Sequence, residues 1–156
     1  MTDSPASDSN GPRVVLPGDG EVIEVGGIEH LFKLTAAHTG GRLALEEFVL
    51  GPGEMGARPH IHSGHDEYFY VLEGELTIHD GARESDVGAG TLVAAVRGTA
   101  HGYRNATMSP VRGICLFTPA GYENYFRDVH EALADGAALT DELLAAHRLR
   151  FGTTSV

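Results

Sequence analysis

From Val14 onward the chain breaks into short runs rich in Val, Ile, Leu, Phe and Thr, each closed by Gly, Pro, Asp or Asn. This punctuation limits the fold more than any other feature of the sequence. The runs are Val22 to Val25, Glu29 to Thr35, Arg42 to Leu50, Tyr68 to Leu72, Leu76 to His79, Thr91 to Val96, His101 to Asn105 and Val111 to Thr118, and they read as strands. With 21 glycines available for corners, short strands at regular spacing predict an all-β fold, an antiparallel sandwich or small barrel, rather than an α/β alternation. Glu73-Gly74-Glu75, Asp80-Gly81 and Val87-Gly88-Ala89-Gly90 separate strands, and Asp80-Gly81 predicts a tight hairpin of the primed type.

After Pro119 the hydrophobic period lengthens. Tyr125, Phe126, Val129, Ala132 and Leu133 form the apolar stripe of a helix that lies against the barrel and ends at Gly136. A second helix starts at Thr140 as N-cap, with Asp141 and Glu142 in its first turn and His147, Arg148 and Arg150 in its last, each charge matched to the helix dipole. His147 is then a helix-end cation. At the other end, residues 1–12 hold almost nothing apolar and are expected to form a mobile tail.

A length of 156 residues suits one domain with its own core. No apolar run approaches the ~20 residues needed to span a bilayer, and the first residues lack the basic start and apolar segment of a secretory signal, so a cytoplasmic location is the default. The single cysteine, Cys115, allows no internal disulfide and no thiolate zinc cluster, and is expected as core filler. A formal charge of −11 without a basic stripe argues against nucleic acid as a partner.

The chemistry concentrates between Pro59 and Gly74. Residues two apart in a strand point to one face, so His60 and His62 can offer ring nitrogens to one point. Glu67 follows at an odd step, so Ser63-Gly64-His65-Asp66 should turn the chain and bring His60, His62 and Glu67 together across two antiparallel strands. Two imidazoles and a carboxylate converging on one point suit a borderline divalent metal. A fourth ligand is expected from a distant strand, and His101, after the turn Val96-Arg97-Gly98-Thr99-Ala100, is the best candidate.

At this point the sequence resembles the cupins. Their first motif, a glycine, H-x-H, four residues, E, six residues, G, is matched by Gly53, His60, His62, Glu67 and Gly74, with the opening glycine one residue further from the first histidine than usual. Their second motif, G, five residues, P-x-G, two residues, H, three residues, N, is matched by Gly90, Gly98, His101 and Asn105, with Val96 in place of the proline. The resemblance covers roughly Gly41 to Pro119 and, more loosely, the segment Gly121 to Phe126, as in small quercetin-dioxygenase-like cupins. It implies a double-stranded β-helix, or jelly-roll barrel, over residues 13–119, a C-terminal helical extension over 120–156 packed on it, and a homodimer formed through exposed sheet edges.

The resemblance also implies one divalent transition metal per chain, iron, manganese, nickel, copper or zinc, held by His60, His62, Glu67 and His101. Three neutral histidines and one carboxylate leave a divalent ion a residual charge of about plus one and, for an octahedral metal, about two open positions. Such a centre favours an anionic oxygen ligand, for example an enolate, a catecholate, a flavonol or a polyketide β-dicarbonyl. Glu67 is placed to take the proton as general base. Phe69 and Val71 share its face and are expected to line the lumen, Tyr103 can offer a phenol, Glu47 a second carboxylate, and Arg58 can pair with a substrate anion. His65 is expected beside the ligands or in solvent, and His30, His38, His79 and His130 without a role. The implied reaction on this small-molecule substrate is dioxygenation, with non-redox cyclisation, isomerisation or lyase chemistry second, and binding without catalysis third.

Overall fold

A computed structural model describes residues 11–156, so the tail expected over residues 1–12 lies almost wholly outside the described residues. The strands are β1 (Glu21–Val25), β2 (Ile28–Leu34), β3 (Ala44–Leu50), β4 (Met55–His62), β5 (Asp66–Glu73), β6 (Glu75–His79), β7 (Glu84–Gly88), β8 (Leu92–Ala95), β9 (Ala100–Arg104), β10 (Val111–Thr118) and β11 (Thr153–Ser155). The helices are α1 (Ala36–Thr39), α2 (Glu123–Ala134) and α3 (Asp141–Arg150). All strand pairs are antiparallel, in a six-stranded sheet β1-β2-β3-β10-β5-β8 and a five-stranded sheet β11-β4-β9-β6-β7. An all-β antiparallel sandwich is what the glycine-punctuated runs predict.

Strand alternation decides what faces the interior. β3 buries Ala44, Glu46, Phe48 and Leu50, β10 buries Val111, Cys115 and Phe117, and β5 buries Glu67, Phe69 and Val71. From the opposite sheet Tyr103 on β9 meets Phe48 and Phe69 at ring-centroid distances of 5.4 and 5.0 Å, which closes the two layers over one aromatic core. The helical segment follows its predicted stripe, since α2 buries Tyr125, Phe126 and Val129. Its Arg127 makes a two-pronged pair with Glu21 of β1, at 2.8 and 2.6 Å. α3 carries the expected cap, Thr140 Oγ1 accepting from the Leu143 amide. No helix among the described residues is long and apolar enough to cross a membrane.

Four expectations change. First, β4 and β5 do not pair: they belong to different sheets, and the Ser63–His65 connection carries the chain from one layer to the other. The histidines and Glu67 therefore meet across the interior of the sandwich, not across a hairpin. Second, Asp80–Arg83 forms a four-residue loop between β6 and β7 in place of a two-residue turn, with Asp80 Oδ1 accepting the amides of Ala82 and Arg83. Third, β7 extends through Val87-Gly88, which was expected to be a connector; its sequence is polar and mostly exposed because it is an edge strand, with Val87 alone of its side chains packed on the core. Fourth, the C-terminal extension is not purely helical: β11 adds a strand to β4, pairing Thr153 with His62 and Ser155 with His60.

Candidate metal centre

Four side chains from three strands meet between the sheets. His60 and His62 project inward from β4, Glu67 from β5 and His101 from β9, and all are at least 95 % buried. One ligand atom from each lies within 4.8 Å of all the others. His60 and His101 face each other in the β4–β9 ladder, and that pairing needs a close backbone approach. A Cβ on Gly102 would sit 2.7 Å from the Ala57 carbonyl oxygen and 2.8 Å from the Pro59 nitrogen, so only glycine admits the irregular stretch of β4 that leads into His60.

Each imidazole is held from behind. His60 Nδ1 donates to the Arg58 carbonyl at 2.7 Å and His101 Nδ1 to the Thr99 carbonyl at 3.1 Å, which turns Nε2 of both rings inward. His62 Nδ1 is bonded to Thr153 Oγ1 at 2.6 Å. Its Nε2 lies 3.0 Å from His60 Nε2 and 2.8 Å from Glu67 Oε1, while His101 Nε2 lies 3.1 Å from Glu67 Oε2. Acceptor atoms this close repel one another unless protons or a cation sit among them. This donor set, imidazole nitrogens with rear hydrogen bonds and one carboxylate, could hold a divalent metal ion.

The electrostatics agree. Burial pushes His60 down to about 3, with Glu67 opposing and the neighbouring rings adding, so the ring is neutral and available as a ligand. Burial also lowers His62, against its hydrogen bond to Glu67. On Glu67 burial acts upward, but hydrogen bonds from His101, His62 and His65 outweigh it and hold the carboxyl well below its usual range. On His101 burial acts downward, yet the bond to Glu67 and its charge prevail and the ring is raised. The negative charge therefore stays on Glu67.

The turn before His101 is rigid without the motif's proline. Val96 is exposed, and the loop is held by Gly98 N donating to the His62 carbonyl at 2.7 Å and by Asp66 gripping the Arg97 guanidinium and amide. The Arg97 side chain, then its amide, hold the Asp66 carboxyl down at about 2.

The match to the cupin domain family spans residues 46–117, from β3 through nearly all of β10, and takes in all four of these residues. Residues 46–117, 72 of the 156, form a cupin domain. It is similar to quercetin 2,3-dioxygenase of Bacillus subtilis (strain 168), 28% identical over 119 residues, which is 74% of this chain and 34% of that protein. The chain thus spans about a third of that relative's length. Among solved structures it resembles a predicted oxalate decarboxylase from Thermotoga maritima, with TM-score 0.63 and 19% identity over 69% of this chain and 99% of the other. It also resembles the polyketide cyclase RemF from Streptomyces resistomycificus, with TM-score 0.60 and 23% identity over 69% and 79%. These two likenesses establish the fold.

A cavity of about 120 Å³ opens beside the four residues, with His60 and Glu67 in its wall. Phe69 and Tyr103 line it, and the Tyr103 ring lies flush against Gly56, where a Cβ would come within 2.1 Å of Cε2. Val71 does not: it is fully packed in the core one step further along β5. Glu47 points out of β3, and the inward carboxylate is its neighbour Glu46, because Phe48 and Leu50 take the inner face. Arg58 is exposed and paired with Asp141 at 2.9 Å, so it faces away from the cavity. Cys115 is buried as expected, on the cavity wall.

Several residues carry more than the sequence indicated. His65 is buried, its Nε2 3.1 Å from Glu67 Oε1, and Tyr122 packs on both His62 and His65. His30, which showed no partner by spacing, is buried and bonded to Glu46 at 2.7 Å in the cavity wall. Thr153 had no local mark at all. The parity of Glu46 with Phe48 and Leu50 was the one available signal; the others depend on which distant elements pack together.

Proposed function

We propose that this cupin-domain protein is a metal-dependent enzyme that cleaves or oxidises a small enolic or phenolic molecule with dioxygen, one divalent transition metal being held by His60, His62, Glu67 and His101. The observation that carries this reading is a buried set of three histidines and one carboxylate opening onto an aromatic-lined cavity. The ion would lower the pKa of a bound hydroxyl and hold the resulting oxyanion. Glu67, the cluster's anion, takes the hydroxyl proton. Burial, with Glu46 and Cys115 beside it, holds the Tyr103 phenol well above its usual range, so it stays protonated and donates a hydrogen bond to the substrate. Phe69, Phe117 and Tyr122 keep water away from the reacting face. Both atoms of one dioxygen end in the product, so no external reductant is needed.

Size narrows the substrate. About 120 Å³ is close to the roughly 150 Å³ that accommodates benzene, and well below the roughly 300 Å³ at which drug-sized pockets begin. A single ring or a short enolic chain fits better than a three-ring flavonol. Non-redox cyclisation or isomerisation is the second reading, favoured by the fold shared with the polyketide cyclase and by the fact that proton transfer to Glu67 requires no dioxygen. We also propose a homodimer formed through the exposed edge strands β1 and β8, where Val22 and Leu92 are 55% and 61% exposed.

The test is elemental analysis of the purified protein together with oxygen-electrode turnover of a panel of catechols and β-dicarbonyls. About one transition metal per chain and oxygen uptake are expected. Turnover under strict anaerobiosis would move the assignment to the second reading, and metal-free protein of unchanged activity would overturn both. Light scattering giving the mass of one 16.5 kDa chain would overturn the dimer.

A further inference from the structure

Arg148 is the one buried arginine among the described residues, at 6% exposure, and it lies in the wall of the cavity that also holds His60 and Glu67. Six other arginines, Arg58, Arg97, Arg104, Arg112, Arg127 and Arg150, are each paired with a carboxylate at the surface. Arg148 has no carboxylate within ion-pairing distance among the described residues. Its Nη1 donates to Ser155 Oγ at 3.2 Å, and its charge acts on the Tyr125 phenol, opposing the rise that burial causes there. Both neighbours are neutral, and the two carboxylates of the same cavity wall, Glu46 and Glu67, are each bonded to histidines. The remaining donors of its five N–H groups have no protein acceptor, and none of its atoms is both sealed from solvent and unsatisfied, so they look into the cavity.

Its position relative to the metal centre follows from stacked rings. Tyr125 stacks on Tyr122 at 4.9 Å, and Tyr122 packs edge-on against His62 at 4.7 Å. These two rings line the same cavity as Arg148, His60 and Glu67, so the guanidinium and the cluster look into one space. A buried cation without a counter-charge is costly to maintain, and a planar fork of donors suits a carboxylate bound through two oxygens.

We propose that Arg148 is the anion-binding residue of this cavity. The substrate of the reaction read above, on which this inference rests, is then a carboxylate-bearing enolic or phenolic molecule. Its carboxylate pairs with Arg148 while its enol or phenol oxygen faces the cluster of His60, His62, Glu67 and His101. The substrate class becomes small oxo-acids, hydroxy-acids with an enolisable centre, or single-ring phenolic acids, and neutral catechols or flavonols become poor substrates.

Calorimetric titration at pH 7 of the full-length protein, as purified and after chelator stripping, compares salicylate with salicylamide, which matches it in shape without the charge. Salicylate is expected to bind roughly ten- to hundred-fold more tightly in both preparations. In Arg148→Gln that preference disappears while salicylamide binding stays unchanged, and Arg148→Lys keeps part of it. Circular dichroism melts establish that each variant is folded, and the wild-type comparison needs no variant. Equal affinity for the two probes, no saturable salicylate binding, or equal weakening of both by Arg148→Gln would overturn the proposal. The last outcome would mean that Arg148 only braces Tyr125 and Ser155. Because the stripped protein is read by heat of binding, absence of oxygen uptake leaves this result intact, and failure here leaves the redox reading standing.

Discussion

Thr153 does for His62 what backbone carbonyls do for His60 and His101: it fixes a ring from behind so that Nε2 faces the cluster. Losing such a partner weakens a metal site by about ten- to hundred-fold. Thr153→Val should therefore lower metal affinity by that factor in a competing-chelator titration, Thr153→Ser should restore most of it, and His62→Ala should abolish stoichiometric metal in elemental analysis. The His30–Glu46 pair makes a different prediction. Glu46→Ala orphans a buried ring nitrogen and should cost about 1–3 kcal/mol in urea unfolding, whereas the joint replacement His30→Phe with Glu46→Leu should recover part of that loss. The four cluster residues were legible in the sequence because the H-x-H spacing fixes His60 and His62 on one face of β4 and the two cupin motifs mark Glu67 and His101, while the route that joins them across the interior was not. Glu46 was not, because Glu46 and Glu47 are adjacent and only the packing of Phe48 and Leu50 decides which faces inward.

Among elements, the glycine-closed runs and the apolar stripe of α2 were readable, since each follows from a local period. The layer change between β4 and β5 was not. A turn that reverses the chain within one sheet and a connection that crosses to the other sheet have the same composition, and the difference lies in which strands claim the edges. β11 was hidden for a related reason: three residues, Thr153-Thr154-Ser155, carry no strand signature and are strands because β4 offers them a free edge. Gly152, which leads into β11, has φ +68°, and a Cβ there would lie 2.8 Å from Ser63 Oγ. Gly152→Val should tilt β11 off β4 and reproduce the metal-affinity loss of Thr153→Val with no change at Thr153 itself. On β9, Gly102→Ala should cost about 1–3 kcal/mol in denaturant unfolding, because the added methyl meets rigid backbone of β4.

For the whole molecule the buried cluster predicts how stability depends on acid. His60 is lowered to about 3 and His62 is also lowered, so below the ordinary histidine value the unfolded chain binds protons that the folded chain refuses. Stability then rises with pH across that window and falls as pH drops from about 6.5 toward 3. Glu67, held low in the fold, adds a loss in the same direction at the acid end. His101, which is raised, contributes stability that is present below its unfolded value and lost as pH rises through its folded value, a smaller opposing trend. The unfolding free energy of chelator-stripped protein from urea titrations between pH 8 and pH 4 should fall with acidity by a few kcal/mol overall. A flat profile would mean that these rings are solvated.

The bond between His62 and Thr153 joins positions 91 residues apart, and it cannot exist until β11 at the end of the extension has docked on β4. A chain that has only brought β4, β5 and β9 together already presents all four inward groups, but with one ring free to swivel. We therefore expect metal uptake in two phases, loose capture during collapse and then tightening as β11 docks. In refolding followed by metal release to an indicator dye, affinity should keep maturing after the secondary structure has finished forming.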